Sequence, residues 1–220
     1  MTNEEKISLI DDIEETNILS ESHFQFLKSL SNDTDSFVRS QCASVLVNFK
    51  RDNSLDLLFK LSEDDDSFVR TEAYDSLGVF VEKAVEKRLF VALNAEKDAL
   101  ARRYAILSWG GIVSQLNRKF DDEIVFILRQ LETEKDESCI LEYWYVLHLL
   151  GYKESVTKII NFLKNSDYRI RCSAIKSLSY ALTCENELQI KSAVKKLTEI
   201  EKTVAVKSSA IEFLEFLESR

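Results

Sequence analysis

No proline occurs anywhere in the 220 residues, and glycine occurs only four times. Proline breaks helix interiors and glycine weakens them, so this chain is written for nearly unbroken helix. The two histidines, His23 and His148, lie far apart in sequence. No HExxH, GxSxG, P-loop or GxGxxG spacing is present. The clustered His, Cys and carboxylates of a hydrolase or metal site are missing, so the chain is read as non-catalytic, with no cofactor and no metal. The four cysteines (Cys42, Cys139, Cys172, Cys184) show no CxxC or CxxxC spacing and are read as reduced thiols in a cytoplasmic protein. No stretch approaches the roughly 18 uncharged apolar residues of a membrane span. Residues 1–20 are acidic and lack an apolar run, so no signal peptide is expected.

What the chain has is one stretch in several copies. Asp64 to Phe80 reads as an acidic turn followed by a helix with Val69, Ala73, Leu77 and Phe80 along one face, the spacing of an amphipathic helix. Asp66 or Ser67 suits its N-cap. Aligned on Arg70, copies recur with anchors at 39, 70, 102, 140, 171 and 207. The position three after the anchor is small in five of six copies: Cys42, Ala73, Ala105, Ala174 and Ala210, with Tyr143 the exception. The position seven after it is always large and apolar. One such helix cannot bury its face alone, and a repeat of this length predicts a helical solenoid.

The pattern Leu-x-x-Asp-x-Asp-x-x-Val-Arg-x-x-Ala-x-x-x-Leu-Gly resembles the HEAT repeat, in the short form named after phycobilin lyases. Leu61 to Gly78 matches it almost fully; Leu30 to Leu46 and Leu163 to Leu178 match well; the copy at 136 lacks both the Arg and the small residue. The resemblance implies an all-α, right-handed α-solenoid of about six two-helix repeats with an N-terminal capping helix. It also implies that Arg39, Arg70, Arg102 and Arg171, with the acids before them, form a ladder of contacts between repeats. HEAT arrays serve many unrelated roles, so the likeness says little about function.

The expected organisation is one domain over 1–220: a cap in 1–19, with a short acidic helix from Asn3 to Glu15, and repeats in 20–220. The acidic run Glu63 to Asp66 lacks the glycine and distal glutamate of an EF-hand loop and is read as a capped, solvated turn. Gly110-Gly111 is read as a bend, a close helix approach or a helix end. The net charge of −9 is uneven. Residues 1–66 hold 15 acidic and 6 basic residues, whereas residues 67–220 hold 23 of each. An acidic first third repels nucleic acid and attracts basic partners.

In HEAT arrays the second helix of each repeat lines the concave side. Positions one, two, five and eight after each anchor should then form its outward strip. They supply Glu72 and Asp75, Arg103 and Tyr104, Glu142, Tyr145 and His148, then Lys176. Mixed charge with central aromatics suits a protein interface, so these eight residues are the candidate partner-binding strip. The expected partner is another, basic protein, without membrane or nucleic acid. A small acidic bacterial binding domain suits an immunity protein that neutralises a toxin domain; a scaffold or regulatory adaptor of an enzyme complex is the alternative. Alkylpurine DNA glycosylases are similar in fold class and length, and Trp109, Tyr104, Trp144 and Asp75 are the residues to cast in their roles. They need a basic groove, and the charge here runs against one.

Overall fold

Five of the six repeats turn on a capping aspartate. Asp35, Asp66, Asp98, Asp136 and Asp167 sit in extended backbone, and each accepts a backbone N–H from the first turn of the helix that follows. Such a cap satisfies a donor that the helix itself cannot. The computed structural model describes residues 1–16, 20–49, 52–116 and 118–219. Residues 17–19 of the expected cap, and Arg220, lie outside the described residues.

Among the described residues the chain is all-α. Residues 1–116 and 117–220 form two compact units. The first holds α1 (Asn3–Glu15), α2 (Glu21–Leu30), α3 (Ser36–Leu46), α4 (Asp52–Leu61), α5 (Ser67–Leu77), α6 (Lys83–Ala95) and α7 (Ala99–Ser114). Helix α1 begins with a capping box: Thr2 Oγ1 accepts from the Glu5 N–H, and the Glu5 carboxylate accepts from the Thr2 N–H. It packs on α3, as the cap of an array must cover the first repeat. Helix α5 packs between α3 and α7, while α4 backs α5 and α6 backs α7. Val38, Val69 and Ala101, one before each anchor, are fully buried, as are Cys42, Ala73 and Ala105, three after it.

The second unit holds α8 (Asp121–Thr133), α9 (Glu137–Leu149), α10 (Ser155–Asn161) with a 3-10 turn at Phe162–Lys164, α11 (Tyr168–Tyr180), α12 (Glu187–Ile200) and α13 (Val204–Glu218). Helix α11 packs on both α9 and α13. Its core joins Leu141, Ile159, Leu163, Ala174, Leu178, Val194, Val206 and Ala210. Helix α9 stops at Gly151, whose φ of 83° is a left-handed conformation open to glycine. The N–H of Tyr152 reaches Leu147 O at 2.9 Å and that of Gly151 reaches His148 O at 2.9 Å, the paired bonds of a Schellman end.

Two glycines behave differently from each other. At Gly78, which ends α5, an added Cβ would lie 2.6 Å from Ser108 Oγ and 2.9 Å from Ser108 Cβ. The repeat's terminal glycine thus lets α5 and α7 approach. Gly110 and Gly111 sit inside α7, not at a helix end. A Cβ at Gly111 would meet nothing within 4 Å, so no close approach explains it.

Candidate protein-binding face

The turns hold the second helices in register through one repeated device. Two residues before each N-cap, a polar side chain accepts the N-cap residue's own N–H: Asp33, Asp64, Glu96, Glu134, Asn165 and Glu201, at 2.8 to 3.0 Å. At Asp64, Glu96 and Glu201 the same carboxylate also takes both arms of the preceding repeat's arginine. Arg39 donates Nε and Nη2 to Asp64 at 2.7 Å each. Arg70 donates to Glu96 at 2.7 and 2.8 Å, and Arg171 to Glu201 at 2.7 and 3.0 Å. The remaining arm, Nη1, bonds the carbonyl six residues upstream in its own turn: Asp33, Asp64 and Asn165 for these three, and Glu96 for Arg102. Lys6 of α1 plays the arginine's part for Asp33 at 2.7 Å.

This is the expected ladder. The acidic run at 63–66 is part of it, since Asp64 is engaged and Asp66 is a cap, so the run is more than a solvated turn. Where the anchor is Ile140, the acceptor one repeat on is the neutral Asn165, so cation and anion are lost together. The paired carboxyls are held below their usual range. For Glu201 the Arg171 hydrogen bond outweighs burial and brings the carboxyl down to about 2. At Asp64 and Glu96 burial pushes upward, but the guanidinium and backbone N–H bonds prevail.

With the helices so fixed, their unshared faces can be read. In residues 1–116, Asp75 is exposed, while Glu72, Arg103 and Tyr104 are half-buried. Burial, and then the charge of Asp75 one turn away, raise the Glu72 carboxyl above its usual value. Beside this acidic pair lies a feature the strip omits. Phe37, Phe68 and Leu100, each two residues before an anchor, are 56%, 67% and 41% exposed. They stand one per repeat on the neighbouring helices α3, α5 and α7. Phe68 lies one helical turn before Glu72 on the same helix face. Counting only positions after the anchor hid this row; the shared Asp-Ser-Phe-Val-Arg of repeats 1 and 2 was the signal.

In residues 117–220 the strip partly fails. Glu142 is only 3% exposed, so it is no surface residue. Helix α9 is apolar on almost every side, and periodicity could not tell which side was covered. Tyr145 and His148 on α9 are half-buried. Burial, Glu142 and Tyr180 raise the Tyr145 phenol. Burial lowers the His148 imidazole against a hydrogen bond to the Ala181 backbone. Tyr145 and Tyr180 rings lie 6.4 Å apart, and the exposed Lys176 ammonium is 5.9 Å from the Tyr180 ring. The structure therefore joins Tyr145 and Lys176 through a tyrosine that the strip left out.

Residues 24–114 match the family model described as HEAT repeats. These residues are HEAT repeats. No curated protein matches the chain in sequence. Among solved structures, the chain is similar to a chain of the complex of CpcE and CpcF of phycocyanin lyase from Nostoc sp. PCC7120. The TM-score is 0.64 at 14% identity, over 96% of this chain and 88% of that one. It is also similar to the Escherichia coli protein YibA, with a TM-score of 0.60 at 18% identity, over 99% and 76% of the two chains. These likenesses establish the solenoid fold over nearly the whole length.

Among the described residues of the array, no group of three or more His, Cys, Asp or Glu could hold a metal ion. No helix among them is long and apolar enough to cross a membrane. All four cysteines are free thiols. Cys42 is buried as a small core residue, and burial pushes its thiol up to about 12; such a thiol is a poor nucleophile at neutral pH.

Proposed function

We propose that this HEAT array is a non-catalytic protein-binding solenoid. Its face in residues 1–116 takes a basic partner through an apolar anchor. The observation that carries this reading is the row Phe37, Phe68 and Leu100, exposed beside the carboxylates Glu72 and Asp75. Exposed aromatic rows rimmed by charge are features of interaction sites. Residues 1–116 hold 21 acidic and 13 basic residues, which favours fast capture of a basic surface. The same carboxylates disfavour a phosphate backbone, so a nucleic-acid enzyme fits this face poorly. The similarity to a chain from the CpcE and CpcF complex adds support, since that protein works with a protein partner.

Inhibition of a basic toxin domain, as an immunity protein, is the finer form of this reading. Covering an active site needs no reacting group, and charge is its support. A scaffold or adaptor role would use the same face.

Charge reversal at Glu72 and Asp75 tests the reading; Glu142 is excluded because it is buried. E72K/D75K in the full chain is expected to weaken capture of the partner about tenfold or more, with helical circular dichroism and melting temperature nearly unchanged. Capture equal to wild type would remove this face from the interface.

A further inference from the structure

The two units contain the same cleft in two forms. In residues 1–116 a cleft of about 440 Å³ opens between the turn after α4 and helix α6. In residues 117–220 the equivalent cleft, between the α10 turn and α12, holds about 790 Å³. Alignment on Arg70 and Arg171, and on Glu96 and Glu201, matches them position by position. In the smaller cleft the Arg88 guanidinium lies 5.5 Å from the Phe59 ring and pairs with Glu63 at the rim, occupying space over the cleft. The corresponding residues of the larger cleft are Ala193, Ile160 and Lys164. The rim arginine is replaced by Ala193, and a lysine, Lys164, stands where the carboxylate that held it was.

What remains is an apolar floor with a basic rim. Ile160, Leu163, Leu197 and Ile200 line the cleft, with Lys164, Lys196 and Lys202 around it. None of the three lysines, among the described residues, lies within ion-pair distance of a carboxylate. The one carboxylate in the lining, Glu201, is engaged by both arms of Arg171 and by the Thr203 N–H, so it does not oppose an anion. The volume falls within the range of small-molecule sites, about 300–1,000 Å³.

We propose that this cleft binds a small amphipathic anion: an aliphatic chain ending in a carboxylate or phosphate. The chain lies on the apolar floor and the head meets the lysines. The site belongs to residues 117–220 and does not depend on the partner-binding reading of residues 1–116.

The test is a titration of the full chain, with labelled Ile and Leu methyls followed by NMR. The probes are decanoate, decyl phosphate and the neutral decyl glucoside, each kept below its micelle concentration. Saturable shifts confined to Ile160, Leu163, Leu197 and Ile200 are expected with at least one anion, and the tighter of the two identifies the head group. The neutral probe should bind about tenfold more weakly or worse. K196Q/K202Q should cost the anion about tenfold while leaving the spectrum otherwise unchanged. K164E/A193R, which rebuilds the rim pair of the other unit and puts an arginine over the apolar floor, should abolish binding. Equal binding of the neutral probe, shifts spread over exposed apolar residues at large, or unaltered affinity in the lysine variants would overturn the proposal. So would binding of an acidic Leu/Glu peptide where neither anion binds.

Discussion

Replacing Arg70 by alanine is expected to destabilise the protein by about 3 kcal/mol, because it removes one partner of a largely buried pair. The guanidinium ties Glu96 in the next turn to the carbonyls of Asp64 and Asp65 in its own. The Glu96 side chain is almost fully buried, and Tyr74 Oη and the Asp98 N–H also bond it. Without Arg70 a carboxylate stays in that site with no cation. The double variant R70A/E96Q should therefore lose less than R70A and E96Q do in sum. Urea unfolding measures both. A loss below about 0.5 kcal/mol, the scale of exposed ion pairs, would reduce the ladder to decoration.

The same pairs set an acid limit. Asp33, Asp64, Glu96 and Glu201 all have folded carboxyls below their usual values. A depressed carboxyl contributes its full stability above the unfolded value, near 4, and loses it as pH falls through the folded one. Wild type should lose stability progressively from about pH 5 toward pH 2, the value reached at Glu201 being about 2. R70A, already without one pair, should show a shallower fall over that window.

The second large effect is steric. Ala73→Leu is expected to lower stability by about 1–3 kcal/mol through overpacking. Ala73 is fully buried on α5, the helix packed between α3 and α7. Gly78, five residues on, already has Ser108 within reach of a missing Cβ, so the layer has little slack. The melting temperature reports the loss. An unchanged value would mean that the third position after the anchor does not face the packed side.

These two sites were legible in the sequence because the repeat wrote them several times. The anchors, the aspartate caps and α1 followed from recurrence and from cap chemistry, and α1 runs over Asn3–Glu15 as expected. Single events were not legible. The early end of α5 at Leu77 depends on Gly78 and its approach to α7. Glu142 occupies the same repeat position as Glu72, yet one is buried and the other is not. Spacing specifies a direction around a helix, not whether a neighbour stands there. The partner of each ladder arginine also needed the structure, since Lys6 fills the role from outside any repeat.

The central claim is that the exposed row of α3, α5 and α7 is a partner-binding surface. The most direct measurement compares wild type with F37S/F68S as baits at low and high salt, quantifying the same captured protein by mass spectrometry. The account predicts a stoichiometric basic protein on wild type, weakened by salt, and lost from the variant while its melting temperature holds. Equal capture by both baits, or recovery of nucleic acid in place of a protein, would contradict it.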